Sequence, residues 1–94
     1  MNIRLSLDAL QVLDAIARKG SFAAAAESLY RVPSAITYTV RQLEQALGVS
    51  LFSRNGRRAE LTAAGEELLR EGRHLLQAAG ELEARVKRVA TGVE

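Results

Sequence analysis

The first half of the chain contains three segments in which apolar residues recur every three or four positions. Such spacing places apolar side chains on one face of an α-helix. The first predicted helix runs from Leu7 to about Lys19, because Ser6 is a good N-cap and Gly20 can take the left-handed position after the last turn. Its buried stripe is predicted to consist of Leu7, Leu10, Val12, Leu13, Ile16 and Ala17.

A second and a third helix are predicted close behind the first. Ser21 caps the second helix, which runs from Phe22 to about Leu29 and contains four consecutive alanines that permit close helix packing. Phe22 and Leu29 are expected to point into the core. Pro33 suits the first position of the third helix, since the N–H group that proline lacks would have no helical partner there. The third helix extends to Leu47, and its apolar stripe is formed by Ile36, Val40, Leu43 and Leu47.

The other face of the third helix is hydrogen-bonding and weakly basic, without the Glu and Lys of an ordinary solvated helix. Short hydroxyls can meet base edges or phosphates, Tyr38 can contact a thymine methyl group, and Arg41 can reach guanine or the DNA backbone. Each residue alone is equally consistent with simple solvation, and their joint placement makes the case. Such a face behind a short helix and a tight turn is the plan of a DNA-reading helix-turn-helix. The face comprises Ser34, Thr37, Tyr38, Arg41 and Gln45.

A small β-hairpin is predicted between residues 49 and 61. Asn55-Gly56 is a strong hairpin signal, because both central residues of a type I′ turn need positive φ. Arg54, Arg57 and Arg58 flank this turn. For an isolated hairpin, a solvated turn with incidental charge is the better interpretation. Beside a helix-turn-helix, a basic wing that reaches the adjacent DNA groove becomes the favoured one.

The last third of the chain predicts one long helix, capped by Thr62 and continuing to about Thr91. Its apolar and small residues alternate at steps of four and three, which is the spacing of a coiled-coil seam. The first half of this seam can pack on the small domain, but the second half has nothing left in the chain to cover it. A second copy of the chain is the simplest partner. The predicted dimerisation residues are Leu68, Leu75, Ala79, Leu82, Val86 and Val89.

Composition narrows the classes of function. The chain has no cysteine and a single histidine, so disulfides are excluded and a metal site is not expected. No phosphate-binding glycine loop, nucleophile elbow or facing pair of carboxylates is present, and we predict neither a cofactor nor an enzyme. No signal peptide is expected, and no apolar stretch approaches the roughly 20 residues that a membrane span needs.

The charge is distributed unevenly along the chain. The net charge is only +2, which by itself does not indicate nucleic acid. Residues 1–60 hold eight Lys and Arg against five acids, a net of +3, whereas residues 61–94 hold five against six, a net of −1. The positive charge therefore belongs to the predicted helix-turn-helix and hairpin.

Three stretches of the sequence carry a family resemblance: SFAAAAESLY, SAITYTVRQLEQALGVSLFSR and LTAAGEELL. With them, the chain resembles the N-terminal winged helix-turn-helix of LysR-type transcriptional regulators. The resemblance implies a mainly α fold, with three helices and a two-stranded wing in residues 1–61 and a dimerisation linker helix in residues 62–94. It also implies a bacterial, cytoplasmic, nucleoid-associated homodimer that places its third helices in major grooves of double-stranded DNA.

The family pattern also implies which residues meet the DNA. Base-facing positions fall on Pro33, Ser34, Thr37 and Tyr38, with wing residue Arg57, and backbone contacts fall near Ser21, Arg41 and Arg54. Two positions depart from the pattern, because the family often has Gln where Pro33 stands and Arg where Tyr38 stands. Fewer direct hydrogen bonds to the bases are therefore expected here, and specificity should depend more on Thr37, Arg41, the wing and DNA shape.

The length also departs from the family pattern. LysR-type regulators usually carry a larger C-terminal effector-binding domain, through which a small molecule acts and tetramers can form. The chain is accordingly expected to be an excised fragment or a truncated protein.

Two other functions remain open at the level of sequence. A winged helix can serve as a protein-interaction or dimerisation module, which would show little affinity for DNA and little dependence on salt. An architectural DNA binder would bind all sequences with similar affinity. Salt titration and competition with unrelated DNA distinguish these alternatives from a sequence-specific regulator.

Overall fold

A computed structural model describes residues 1–53 and 59–92 of the chain. Its described part contains four helices and a short antiparallel bridge between Phe52 and Leu61. The mainly helical fold predicted from the sequence is confirmed, and the second helix ends one residue earlier than expected. The helices are α1 (Leu7–Lys19), α2 (Phe22–Ser28), α3 (Pro33–Leu47) and α4 (Ala63–Thr91).

Local side chains set the beginnings of three helices. The hydroxyl groups of Ser6, Ser21 and Thr62 accept hydrogen bonds from backbone N–H groups three positions later, each at 3.0 Å. These bonds satisfy donors that the first turn of a helix leaves without a partner. α3 has no side-chain cap and begins instead with Pro33.

The turn between α2 and α3 depends on an unusual backbone conformation. Tyr30 has φ +57°, and it is the one non-glycine residue with positive φ among residues 1–53 and 59–92. Bulky side chains rarely adopt this left-handed region. The Arg31 N–H donates to the Ala26 carbonyl at 2.9 Å, which closes the end of α2. This closure reverses the chain so that α3 crosses the helices before it.

The core lies where α1, α2 and α3 cross. Leu13, Ile16 and Ile36 are fully buried there. Two of the α2 alanines, Ala25 and Ala26, are also buried, and their small side chains let the helices approach closely. Phe22 and Leu29 pack against this core as expected, although both are only partly buried.

Three residues of the predicted apolar stripes lie outside the core, and Ala17 on α1 is one of them because it is only half-buried. Leu7 is 50% exposed and Leu47 is 39% exposed. Both stand at an end of their helix, beyond the point where a neighbouring helix covers them. Their assignment to the buried stripes was wrong because periodicity identifies a face but not the extent of its cover. Ala9 and Ala15 are buried on α1 instead.

The first half of α4 packs against the small domain. Gly65 and Gly72 are buried, and Leu68 and Leu69 pack against the core. A Cβ on Gly65 would stand 2.2 Å from the Leu51 carbonyl oxygen, so only glycine permits this approach. From about Leu75 onward α4 extends away from the domain. No described helix is long and apolar enough to cross a membrane.

Candidate nucleic-acid interface

The outer face of α3 is a polar surface held in place by the core behind it. Ser34 and Arg41 are exposed, Tyr38 is 65% exposed, and Thr37 is half-buried. Pro33 and Gln45 are also exposed on this helix. The predicted division of α3 into two faces is confirmed, because Ile36, Val40 and Leu43 are buried on the opposite side.

An open groove of about 460 Å³ runs beside this face. It brings together Ser21 from the start of α2 with Thr37 and Arg41 from α3. The rings of Phe22 and Phe52 also line it and meet edge to face, with their centroids 5.1 Å apart. Ser34 and Tyr38 lie on the exposed face of α3 but do not line the groove. The groove thus has a rigid apolar part and polar groups from two different helices.

The two sides of the predicted hairpin begin as an antiparallel pair. The Ser53 N–H donates to the Glu60 carbonyl at 2.7 Å, and the Thr62 N–H donates to the Leu51 carbonyl at 3.0 Å. The Asn55-Gly56 turn and the three arginines Arg54, Arg57 and Arg58 lie outside the described residues. The structure therefore describes the stems of the wing, while the placement of its basic tip stays a prediction.

Glu44 connects α3 to these stems. Its Oε2 accepts a hydrogen bond from the Leu51 N–H at 2.7 Å, and the residue also lines the groove. The Thr62 hydroxyl donates to the Ser50 carbonyl at 2.7 Å, which joins the two sides of the wing at its base. This role of Glu44 was not predicted from the sequence. The available signal was that Glu44 is the only acidic residue in α3.

An ion pair that was not predicted from the sequence joins α1 to the turn before α3. The two Nη atoms of Arg31 donate to the carboxylate of Asp8 at 3.1 and 2.6 Å. This hydrogen bonding holds the pKa of Asp8 below its ordinary value of 3.8 and raises the pKa of Arg31. The pair spans 23 positions of sequence, so no local pattern could reveal it.

The predicted dimerisation residues fall into two groups. Leu68 is partly buried against the core of its own chain, and Ala79 is half-buried. The other four residues are 48–66% exposed on α4, and no described residue covers them: Leu75, Leu82, Val86 and Val89. The outer half of α4 therefore carries an apolar stripe on its surface.

Within residues 1–53 and 59–92, no group of three or more His, Asp or Glu side chains could hold a metal ion. His74 is 75% exposed, and its Nδ1 lies 3.7 Å from a Glu71 carboxylate oxygen. Its surroundings are those of a solvated helix surface.

The exposed α3, the turn before it and the paired stems after it define a winged helix-turn-helix protein. Residues 7–66 match the family model for the bacterial regulatory helix-turn-helix protein, lysR family. This match covers more than half of the chain. The chain therefore belongs to the LysR family.

Sequence comparison agrees with this assignment. The chain is 52% identical over 90 residues to the HTH-type transcriptional regulator YhaJ of Escherichia coli O157:H7. That alignment covers 96% of this chain and 30% of the relative. The chain thus spans less than a third of the length of a curated relative that it matches closely.

Two solved complexes share the fold across nearly all of their length. The DNA-binding domain of BenM with catB site 1 DNA superposes with a TM-score of 0.91 and is 26% identical, covering 96% of this chain and 97% of that one. The DNA-binding domain of CbnR in complex with DNA gives a TM-score of 0.85 and 37% identity, covering 92% and 99%. Both neighbours are DNA-binding domains in complex with DNA.

Proposed function

We propose that this chain binds double-stranded DNA sequence-specifically, as the DNA-binding part of a bacterial LysR-type transcriptional regulator. The observation that carries the proposal is the groove that joins Ser21, Thr37 and Arg41 beside the exposed face of α3. A helix of this kind enters the major groove with its N-terminal residues toward the bases. The DNA-bound states of the two structural neighbours support the same conclusion.

Different residues have different tasks in this proposal. Ser34, Thr37 and Tyr38 face the base edges, and Pro33 contributes shape but no polar group. Ser21 and Arg41, which line the groove of the protein, contact the DNA backbone. The wing residues Arg57 and Arg58 are assigned to the neighbouring groove, and Arg54 is assigned to the DNA backbone.

A homodimer is part of the same proposal. The exposed apolar stripe on the outer half of α4 supports pairing with a second copy, which would cover Leu75, Leu82, Val86 and Val89. Two copies place two α3 helices against two half-sites, at least one helical turn of about 34 Å apart. In the longer protein we expect this dimer to work in the bacterial cytoplasm, on the nucleoid, with effector binding and any tetramer assigned to a separate domain.

Selection of bound sequences from a random DNA pool tests the specificity. We expect enrichment of two half-sites with imperfect dyad symmetry. Equal enrichment of all sequences would instead identify an architectural binder, and absence of binding with no salt dependence would identify a protein-interaction module.

Single substitutions then test the surface. Arg41→Ala should weaken binding and lower the dependence of log affinity on log salt by about 0.9 per protomer, the value for one phosphate contact. Arg85→Ala, which removes the same charge from the exposed outer half of α4, is the matched control. Equal effects of the two substitutions would contradict the assigned surface.

A further inference from the structure

Two arginines of the helix-turn-helix, Arg41 on the α3 face and Arg31 in the turn before it, have different surroundings. Arg41 is exposed and has no ion pair with any described residue. Arg31, in the turn three positions before Ser34, has both Nη atoms directed at the carboxylate of Asp8. One guanidinium is therefore free to meet a phosphate, whereas the other already has an anionic partner.

The Asp8–Arg31 pair lies at the surface, where ion pairs contribute little to stability. The two side chains are 51% and 37% exposed, respectively. Exposed pairs are screened by water and salt, and many have no measurable effect on the free energy of unfolding. The geometric effect of the pair is larger, because a bidentate contact holds a long, flexible side chain in one position.

That position matters because of where the turn lies. The Arg31 backbone N–H is fixed to the Ala26 carbonyl, and the next residues, Val32 and Pro33, begin the helix proposed to enter the DNA. Arg31 thus stands two positions before the first residue of α3, and an unpaired arginine next to a DNA-reading helix is a typical phosphate-contacting group. A phosphate contact of this kind adds affinity for DNA of any sequence.

We propose that Asp8 is a positioning residue that holds Arg31 away from the DNA phosphates and so limits sequence-independent binding. The inference rests on the proposed DNA-binding function. In the paired state the two charges cancel, and a phosphate that approached Arg31 would also meet the carboxylate of Asp8. Discrimination between sequences is then left to the α3 face, because the turn adds no phosphate contact common to all sequences.

A double-mutant cycle tests this role with duplexes of random sequence. Asp8→Asn should raise affinity for random duplex DNA by about three- to tenfold at low salt and steepen the salt dependence by about 0.9 per protomer. Asp8→Asn combined with Arg31→Gln should return both values to within about twofold of the unmodified chain, since the released arginine is gone. Asp8→Glu, which keeps the carboxylate, should behave like the unmodified chain.

The matched control is Asp14→Asn. Asp14 lies on the same helix, and its carboxylate pairs with Arg18 and Arg73 instead of the turn. This substitution makes the same change in net charge and should leave binding to random DNA within about twofold.

Two outcomes would overturn the proposal. One is no gain of affinity from Asp8→Asn in a variant that circular dichroism shows to be folded. The other is an equal gain when Arg31 has already been replaced, which would make the effect one of charge alone. Binding of the unmodified chain to its selected sequence reports separately on the proposed function, so the two failures are distinguishable.

Discussion

The two halves of α4 have the same sequence pattern and opposite environments. In the first half, Gly65 and Gly72 are buried and Leu68 packs against the core. In the second half, Leu82 and Val86 are 57% and 58% exposed. Apolar spacing therefore identifies the face of a helix that will be covered, while the covering element has to come from elsewhere.

The glycines of α4 make the same distinction. A Cβ on Gly65 would collide with backbone, and one on Gly72 would approach the Leu10 Cδ2 atom at 2.9 Å. A Cβ on Gly80 would meet nothing within 4 Å. Close packing against the glycines of α4 thus occurs within the chain at Gly65 and Gly72, whereas the space beside Gly80 is open among the described residues.

The largest expected effect is that of Gly65→Ala. The added methyl group would stand 2.2 Å from the Leu51 carbonyl oxygen. Neither the α4 backbone at Gly65 nor the Leu51 backbone can move aside as the end of a flexible side chain could. We expect the free energy of unfolding to fall by about 3 kcal/mol, measured by urea denaturation. A fall below about 0.5 kcal/mol would contradict the packing of the first half of α4 described here.

Charging the outer stripe should separate dimerisation from folding. We expect Leu82→Glu or Val86→Glu to give monomers in sedimentation experiments, because a carboxylate would be buried unpaired in the proposed interface. Affinity for a two-half-site operator should fall more than tenfold through loss of the second binding event. Ala84→Glu, also exposed on the outer half but off the apolar stripe, is the control, and unchanged dimers of Leu82→Glu would rule out this interface.

Gly80→Ala examines the outer half from the opposite direction. In free solvent this change should stabilise the helix by about 1 kcal/mol, since alanine has the better helix propensity. Thermal unfolding of the chain below its dimerisation concentration measures this gain. If Gly80→Ala instead destabilised the monomer, the added methyl group would have to collide with another part of the same chain, which the open space around Gly80 does not allow.

An ion pair near the boundary of the two halves should have a smaller effect. Arg73 donates to Asp14 at 2.7 Å, and this contact ties α4 to α1. We expect Arg73→Ala to lower the free energy of unfolding by about 0.5–1 kcal/mol, because the pair is partly exposed and screened. Arg85→Ala on the outer half should change it by less than about 0.5 kcal/mol, and urea denaturation of both variants tests the difference.

The smallest effect concerns the other carboxylate of α1. Since Arg31 lowers the folded pKa of Asp8 below 3.8, this contribution to stability is present above that pH and is lost as the pH falls through the folded pKa. Asp8→Asn should therefore lower Tm slightly at neutral pH, and this difference should shrink as the pH falls progressively below 3.8. A difference in Tm that does not shrink with falling pH would mean that the ionised carboxylate is not responsible.

Much of the helix-turn-helix follows from local sequence. Ser6, Ser21 and Thr62 cap helices where they were expected to, because a cap needs only a side chain and the next three backbone positions. The polar and apolar faces of α3 likewise follow from helical spacing. In the candidate site, Thr37, Tyr38 and Arg41 could be predicted from this spacing.

The contacts that support the site could not be predicted in this way. Glu44 bonds to Leu51, and Asp8 bonds to Arg31, across segments of chain that only the folded arrangement brings together. Which partner a charged side chain finds depends on how helices cross. The same holds for Ser21, which joins Thr37 and Arg41 in one groove only because α2 and α3 meet at their observed angle.

The sequence by itself determined the helices, their caps and the face of α3 that is free of core residues. These features depend on interactions within a few residues, so a local pattern contains them. Tertiary structure decided that Leu7 lies in solvent, that Leu68 packs inward and that Leu82 does not. All three have the same apolar chemistry, and only the position of neighbouring elements determines which of them loses contact with water.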